Sequence, residues 1–185
     1  MPPAQNGRDP YADLPAFAPG SDTLNAIIET PRASRNKFKY DPELGIFRLD
    51  KVLPAGAVFP YDFGYVPSTL GGDGDPLDVL VLMDCPAFTG CLVPARLVGV
   101  LEATQEEDGK EVRNDRLLAV ALVSHDQRDV RSIEQISDNL LREIDHFFVS
   151  YHEIQGHRFT PGARRGPDQA RRIVDEGVAR ARNGK

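Results

Sequence analysis

Three aspartates fall within six residues of the chain, at Asp73, Asp75 and Asp78. Gly74 lets the backbone between them turn tightly, and Pro76 fixes φ and removes a backbone donor. Carboxylates held about 5 Å apart repel one another by roughly 3 kcal/mol per pair at an effective dielectric of ~20. A divalent cation reverses the sign of that cost, and an oxygen-rich site suits Mg²⁺ or Ca²⁺. The spacing therefore predicts a metal-binding turn, with a solvated acidic turn as the alternative.

The acidic turn, residues 73–78, leads directly into an apolar run at residues 79–82. Such a run, preceded by turn residues, is typical of a buried strand. We therefore expect the carboxylates at the mouth of a strand, where a rigid element positions them. The turn does not fit the calcium loop of an EF-hand. Counted from Asp73, the fifth and sixth loop positions need an oxygen ligand and a glycine, but they hold Leu77 and Asp78.

A basic segment precedes the acidic turn, with four cations among residues 32–39. Lysine and arginine are the side chains that bind a multiply charged phosphate. We interpret the segment as a basic loop that faces the acidic turn and binds an anion, with a solvated charged loop as the alternative. Between the two lies an aromatic segment, residues 58–67, which we expect to belong mainly to the core and partly to a pocket.

The composition excludes several classes of function. The 185 residues are 41% hydrophobic and 27% charged, with a net charge of −6. Nucleic acids and anionic membranes bind basic surfaces, so neither is expected as a partner. No apolar stretch approaches the ~20 residues of a membrane-spanning helix, and two cysteines are too few for a disulfide framework. Since the first residues lack a signal-peptide pattern, we expect a cytoplasmic protein.

The length predicts a single domain, which we place at residues 21–185. The preceding residues 1–20 contain five prolines and two glycines and show no periodicity, so we expect an extended N-terminal arm. Tyr11, Leu14 and Phe17 are scattered through this arm and favour its packing as a strap.

Further elements follow from the apolar pattern. Ser132, with Gln135 three residues later, forms a capping-box pattern that predicts a helix start, and apolar residues then recur at helical spacing as far as Tyr151. Gly166-Pro167 predicts a second helix with proline at its first position. Short strands followed by helices indicate an α+β fold with a small barrel or curled sheet. The predicted strands are 24–30, 46–49, 92–103 with a bulge at Gly99, and 116–123, with a hairpin loop at 105–110.

Two motifs resemble those of soluble inorganic pyrophosphatases of family I: Phe63-Gly64-Tyr65-Val66-Pro67 and Asp73-Gly74-Asp75-Pro76-Leu77-Asp78. The resemblance extends from about Ile27 to Tyr151, and the acidic motif is specific to the family. It implies an OB-like five-stranded β-barrel flanked by C-terminal helices. It also implies a cytoplasmic homo-oligomer that hydrolyses pyrophosphate to two phosphates with Mg²⁺, for which Mn²⁺ is a substitute.

The resemblance also implies roles for individual residues. Asp73 and Asp78 match metal ligands, and Asp75 matches the carboxylate that accepts a proton from the attacking water. Glu29 matches an outer acid associated with additional metal. A further metal-binding aspartate aligns with Asn114 or Asp115, depending on a one-residue shift, and we take Asp115 as the ligand. The residues that match phosphate-binding positions are Lys37, Lys51, Arg116 and Tyr151.

The chain also departs from the family pattern. Lys39 stands where a glutamate is usual, and Gln105 stands where a metal-binding aspartate is expected. Phe59 and Phe63 replace two tyrosines, and His152 replaces a lysine. Fewer carboxylates and an added lysine lower the negative charge available to hold cations. Three alternatives stay open: fewer or weaker metals, another phosphoanhydride such as a nucleotide or short polyphosphate as substrate, or a homologue that binds metal and pyrophosphate without catalysis.

Overall fold

The structure, a computed structural model, describes Tyr11 and residues 13–107 and 109–184. These residues form strands and helices in the order expected of an α+β fold, with strands first and helices concentrated towards the end. The strands are β1 Leu24–Thr30, β2 Asn36–Asp41, β3 Ile46–Val52, β4 Asp62–Tyr65, β5 Asp78–Leu82, β6 Leu92–Glu107, β7 Lys110–Arg113, β8 Arg116–Ala121 and β9 Arg158–Arg165. The helices are a 3₁₀ helix at Ile133–Gln135, α1 Asp138–Glu153 and α2 Pro167–Asn183.

Five strands close into a ring, in the order β1-β4-β5-β8-β6, because β1 also pairs with β6. Within the ring, β5 and β8 are parallel and the other pairs are antiparallel. The predicted OB-like five-stranded barrel with flanking helices is confirmed. Closure leaves these strands without unpaired edges, so the strand ends that carry the site are held in fixed relative positions.

Strand β5 is buried on both faces, as predicted for the apolar run after the acidic turn. Val79 and Val81 pack in the cluster that includes Ile173 of α2. Leu80 and Leu82 point the opposite way and pack in the cluster that includes Ile144 of α1. The alternation follows from the two-residue period of a strand. It fixes β5, and with it the acidic turn, between two helices.

The predicted basic loop is in part a strand, so that prediction was wrong in its secondary structure. Residues 36–41 form β2, which pairs with β3 in a separate two-stranded sheet that we call the basic hairpin. Lys37 lies opposite Lys51, and Lys39 lies opposite Arg48. Like charges directly opposite on antiparallel strands are destabilising. Carboxylates offset two of these charges, since Lys39 lies beside Asp75 and Arg48 beside Asp41, so the repulsion falls mainly on the Lys37–Lys51 pair.

The predicted hairpin differs in detail from the observed strands β6, β7 and β8. Strand β6 continues past residue 103 to Glu107, and its register against β8 shifts between Leu97 and Gly99, as expected for a bulge. The returning strand is β7, which pairs with the end of β6, whereas β8 pairs with the middle of β6 and with β5. The prediction of a returning strand at 116–123 therefore placed β8 correctly and missed β7.

The predicted helix at Ser132 begins later than expected. The Gln135 side chain accepts the backbone N–H of Ser132 at 3.1 Å, but this cap closes only the 3₁₀ helix. Ile136 is extended, with ψ of 139°, and α1 begins at Asp138. Helix α2 begins at Pro167, as predicted.

The described part of the N-terminal arm packs against the basic hairpin and the barrel. The Tyr11 ring lies 4.9 Å from the ring of Tyr40 and 5.6 Å from that of Phe47. Phe17 forms a bridge with Leu24, and the Leu14 carbonyl accepts a hydrogen bond from Ser68. The predictions for residues 1–10 and Ala12 fall outside the described residues. Within the described ranges, no helix is long and apolar enough to cross a membrane.

Candidate active site

The acidic turn begins where β5 starts, as the sequence predicts. Gly74 has a φ of +88°, a conformation that residues with a side chain rarely adopt. This turn lets Asp73 Oδ1 accept the backbone N–H of Asp75 at 3.1 Å. Asp78 is the first residue of β5, and its backbone is fixed by the sheet. The three carboxylates are thus held by a hydrogen-bonded turn and a strand.

Helix α2 supports the acidic turn from behind. The backbone N–H of Leu70 donates to the carbonyl of Gly177 at 3.0 Å, and Arg180 Nε donates to the carbonyl of Leu70 at 2.9 Å. A Cβ atom at Gly177 would lie 2.7 Å from Cδ1 of Leu77. The helix and the turn can therefore approach so closely only because residue 177 has no side chain.

A cavity of about 520 Å³ lies between the acidic turn, the basic hairpin and α1. Acidic side chains from the turn and from β1 line the cavity, together with cations from the hairpin and β8. Aromatic side chains from α1 and from the segment before β4 complete the lining. The predicted site residues that line it are Glu29, Lys37, Lys51, Asp73, Asp75, Asp78, Arg116 and Tyr151. The predicted acidic turn and basic segment are far apart in the chain, and the fold brings them together in one site.

Asp115 is the predicted site residue that the fold does not bring into this cavity. Its Oδ1 accepts the backbone N–H of Ala103 at 3.2 Å, and its Oδ2 accepts Arg113 Nε at 2.6 Å. The neighbouring Asn114 lines the cavity instead, and its amide donates to Gln105 Oε1 at 2.6 Å. The choice of Asp115 over Asn114 thus selected the residue whose carboxylate is committed to structural contacts.

Asp78 and Arg116 form a buried ion pair at the floor of the cavity. Arg116 Nη1 is 2.7 Å from Asp78 Oδ2, and the Arg116 side chain is only 4% exposed. Its guanidinium carbon lies 4.9 Å from the ring centre of Phe148 and 5.5 Å from that of Phe159. Burial raises the pKa of Asp78, and the charge of Arg116 offsets part of that increase.

Glu29 is a second buried acid. Its Oε1 accepts the backbone N–H of Tyr40 at 2.7 Å, which links β1 to the basic hairpin. Burial raises the pKa of Glu29 to about 7, the Tyr40 N–H lowers it, and the charge of Asp78 raises it further. The side chain is therefore partly protonated near neutral pH, unless a cation binds beside it.

The cations of the basic hairpin meet the acids and the aromatic residues. Lys39 Nζ lies 2.8 Å from Asp75 Oδ2, and this pair is partly exposed. Burial lowers the pKa of Lys39, but the hydrogen bond and charge of Asp75 outweigh that effect and raise it. Lys37 Nζ lies 5.4 Å from the ring centre of Tyr151, and Lys51 Nζ lies 6.0 Å from it. Tyr151 thus lies within reach of both ammonium groups.

Three polar atoms of cavity-lining residues are buried without a hydrogen-bond partner among the described residues: Arg116 Nε, the Tyr151 hydroxyl and His152 Nε2. The His152 ring stacks on Phe159 with 4.9 Å between ring centres and 12° between planes. Burial, followed by the charges of Arg116 and Lys37, lowers the pKa of His152 to about 3. The imidazole is therefore neutral at physiological pH. Unpaired buried polar groups are costly, so a ligand that forms hydrogen bonds with them would be favoured.

Arg48 and Asp50 also line the cavity, although sequence reasoning did not select them. The alternation of apolar and charged residues from Phe47 to Asp50 was the available signal. Phe59 and Phe63, which replace two expected tyrosines, pack their rings 5.4 Å apart, and Phe59 lies 5.0 Å from the ring of Phe147. The positions expected to offer hydroxyl groups therefore form an apolar wall.

Comparisons with known proteins agree with this geometry. The inorganic pyrophosphatase family model matches residues 26–182. The chain belongs to this family. The inorganic pyrophosphatase of Geobacillus stearothermophilus is 41% identical over 159 residues, which cover 85% of this chain and 93% of that protein. The crystal structure of the pyrophosphatase from Thermus thermophilus matches with a TM-score of 0.85 and 32% identity, over 93% of this chain and 98% of that one. The pyrophosphatase structure from Helicobacter pylori matches with a TM-score of 0.78 and 31% identity, over 87% and 94% of the chains.

Family I pyrophosphatases are metal-dependent hydrolases, and the donor set of this cavity fits a hard divalent cation. Asp73, Asp78 and Glu29 offer carboxylate oxygens, which Mg²⁺ and Mn²⁺ prefer. The raised pKa values of Asp78 and Glu29 are those of buried acids whose charge is incompletely compensated. Within the described part of the chain, however, no three His, Cys, Asp or Glu side chains already converge on one point. The donor chemistry of the pyrophosphatase site thus suits a hard divalent cation.

Proposed function

We propose that this chain hydrolyses inorganic pyrophosphate to two phosphates with the help of a divalent cation. The observation that carries the proposal is the convergence, in one cavity, of the acidic turn with the cations of the basic hairpin and Arg116. Phosphoryl transfer needs little beyond the positioning of the reactants and the neutralisation of charge on the phosphate oxygens. Acids that hold a metal and cations that face them supply both.

Asp73, Asp78 and Glu29 hold the cation, which is Mg²⁺ with Mn²⁺ as a substitute. When bound, such a cation lowers the pKa of water and shares the charge of the phosphate oxygens. Asp115 is left out of this ligand set because its carboxylate is bound to Arg113 and to the backbone of Ala103.

The substrate is bound by the opposite wall. Lys37, Lys51 and Arg116 supply positive charge to the phosphate oxygens, and the Tyr151 hydroxyl donates a hydrogen bond. Asp75 accepts a proton from the attacking water. The resemblance to the family supports two further parts of the proposal, a cytoplasmic location and a homo-oligomeric state.

Replacement of Asp75 by asparagine tests its role as the base. Wild-type protein with Mg²⁺ and pyrophosphate should release phosphate, and Asp75→Asn should lower the rate by at least about 100-fold, since an amide cannot accept the proton. Phosphate release is measured by a colorimetric assay. The control is Asp129→Asn, whose carboxylate is exposed and outside the cavity and whose replacement should leave the rate unchanged. Robust turnover by Asp75→Asn would remove this residue from its role as base.

A second candidate function is hydrolysis of another phosphoanhydride, such as a nucleotide or a short polyphosphate. Two observations favour it: Lys39 and Arg48 add positive charge beyond the Lys37–Lys51 pair, and Phe59 and Phe63 replace hydroxyl groups with apolar surface. Rates on pyrophosphate, tripolyphosphate and ATP, measured side by side with Mg²⁺, separate the two candidates. A clear preference for pyrophosphate would exclude the second.

A further inference from the structure

Lys39 and Lys37 lie on the same strand and line the same cavity but contact different groups. Both side chains line the cavity, so β2 presents two ammonium groups to the site. Lys37 lies over the rings of Tyr151 and Phe63 and forms no ion pair with a described carboxylate. Lys39 instead reaches Asp75, with 2.8 Å between Nζ and Oδ2. The second lysine is therefore directed at the acidic turn.

The contact is a product of the fold and not of a local turn, because the two residues are 36 positions apart in the chain. Their strand and turn are held independently, β2 by its pairing with β3 and the acidic turn by α2. A long side chain from a fixed strand thus places an ammonium group beside a fixed carboxylate.

The ammonium group of Lys39 competes with any divalent cation that approaches Asp75. It occupies one carboxylate oxygen and repels a second positive charge. A divalent cation about 4 Å from an ammonium group is repelled, even with full water screening, by an energy that corresponds to roughly thirtyfold in affinity. Arg116 also lies close to one carboxylate oxygen of the turn, 2.7 Å from Asp78 Oδ2. Two of the three carboxylates in the acidic turn therefore already have a cationic partner from the protein.

We propose that Lys39 determines how this protein uses metal, because its ammonium group takes the place of one divalent cation beside Asp75. The chain then binds fewer divalent cations than a site with carboxylates alone would hold. The inference rests on the proposed function for the role of Asp75 in the reaction. The competition between ammonium and metal for one carboxylate can be measured without any reaction.

The partial exposure of this pair makes the arrangement reversible. The side chains are 40% and 59% exposed, so the ion pair is weak and can open without a large cost. A polyanionic substrate attracts Lys39 away from Asp75 and towards its own oxygen atoms. Asp75 is then free to accept a proton when substrate is present.

The test is the binding of Mn²⁺ to the full chain, without substrate, measured by titration calorimetry. Lys39→Met removes the charge and keeps most of the side-chain volume, and Lys39→Gln is a second neutral variant in case the first does not fold. Both should bind one more Mn²⁺ per chain than wild type, or bind Mn²⁺ about thirtyfold more tightly at one site. Lys39→Arg keeps the charge and should behave as wild type. Lys110→Met, on the exposed strand β7, is the matched control and should also leave binding unchanged.

Equal Mn²⁺ stoichiometry and affinity in wild type and in a folded neutral variant would overturn the inference. A rise in Mn²⁺ affinity in Lys110→Met as large as that in Lys39→Met would also overturn it, because the effect would then be one of net charge alone. Phosphate release is assayed in parallel. If wild type releases no phosphate with any divalent cation, the proposed function fails, while the Mn²⁺ titration still decides the role of Lys39.

Discussion

The Tyr151 hydroxyl is a polar group that the protein buries without a partner among the described residues. Its ring lies beneath the ammonium groups of Lys37 and Lys51, in the part of the cavity where a phosphate group would be surrounded by positive charge. Leaving a buried donor unpaired costs about 1–3 kcal/mol. That cost is removed when a phosphate oxygen accepts the hydrogen bond, so the hydroxyl favours binding of the ligand over the empty site.

Tyr151→Phe should therefore weaken catalysis and not stability. The variant loses one hydrogen bond to a charged oxygen, worth about 1.5–3 kcal/mol, and kcat/KM should fall by roughly 10- to 100-fold. The thermal midpoint should stay unchanged or rise, because an unpaired buried group is removed. Steady-state kinetics and a thermal melt measure the two effects. Tyr61→Phe is the control, since Tyr61 lies outside the cavity, and a similar loss of activity there would contradict this role for Tyr151.

Glu29 makes the stability of the metal-free protein depend on pH. The unfolded carboxyl group loses its proton near pH 4.5, whereas the folded one keeps it to about pH 7. Between these values the folded state binds more protons, so the free energy of unfolding falls as pH rises through this window, by up to roughly 3 kcal/mol.

Glu29→Gln mimics the protonated acid and should abolish this contribution. Urea unfolding with a chelator present should show equal stability of wild type and variant near pH 4. Above pH 7 the variant should be more stable, by up to roughly 3 kcal/mol. A difference that is the same at every pH would show that Glu29 does not titrate in this window.

Residues that act within one turn could be predicted from the sequence, and residues that act across the fold could not. Asp73, Asp75 and Asp78 share a local spacing that directly predicts a cluster of carboxylates. The ion pair of Lys39 with Asp75 joins a strand to a distant turn, and no local pattern records it. Asp115 contacts Arg113 and the backbone of Ala103 while its neighbour Asn114 lines the cavity, a difference that no local sequence pattern records.

Among the elements, β2 shows that pairing with another strand can override a local sequence pattern. Its residues Lys37, Phe38, Lys39 and Tyr40 alternate between charged and aromatic, which is the pattern of a half-exposed strand. The density of charge favoured a loop. The strand forms nonetheless because β3 pairs with it residue by residue. Strand β9 was equally hard to predict, since its charged sequence with proline and glycine is defined by its pairing with β6 and not by its composition.

The contact between α2 and the acidic turn predicts a link between packing and activity. Gly177→Val should push Leu77 out of its place, since even a Cβ atom would come within 2.7 Å of it. Overpacking of this kind should cost about 1–2 kcal/mol of stability. Displacing the carboxylates should lower kcat by at least about tenfold, because small misplacements of catalytic groups are costly. Urea unfolding and kinetics measure both effects.

Ala179→Val is the matched control for this experiment. Ala179 lies on the same helix, and it is exposed. Its replacement should leave stability within about 0.5 kcal/mol of wild type and kcat unchanged. If Gly177→Val also keeps full activity, the position of the acidic turn does not depend on α2.

For the molecule as a whole, the closed ring of β1, β4, β5, β8 and β6 brings distant parts of the chain to one cavity. Glu29 ends near the site because β1 pairs with both β4 and β6, and Arg116 does so because β8 pairs with β5. The alternation of apolar residues predicted most of these strands individually. Their order in the ring was expected only from the resemblance to family I, because local composition does not determine which strands pair.

Ligand binding should stabilise the whole molecule, because only the folded chain assembles the cavity. The Asp75→Asn variant allows pyrophosphate to be held without turnover. With Mg²⁺ and pyrophosphate at 100 times the dissociation constant, stability should rise by about 2.7 kcal/mol, or roughly 5–10 °C in the thermal midpoint. Sulfate at equal ionic strength is the control. An equal shift with sulfate would mean that general salt effects, and not a specific site, explain the stabilisation.

The opposed cations of the basic hairpin have a consequence for the motion of the chain. Lys37 faces Lys51 and Lys39 faces Arg48 across two strands that belong to no larger sheet. Because no larger sheet supports these two strands, we expect their backbone amides to exchange hydrogen with solvent faster than those of the barrel. A bound polyanion reverses the repulsion and slows that exchange. Protection of these amides on anion binding would link substrate recognition to the stability of the hairpin.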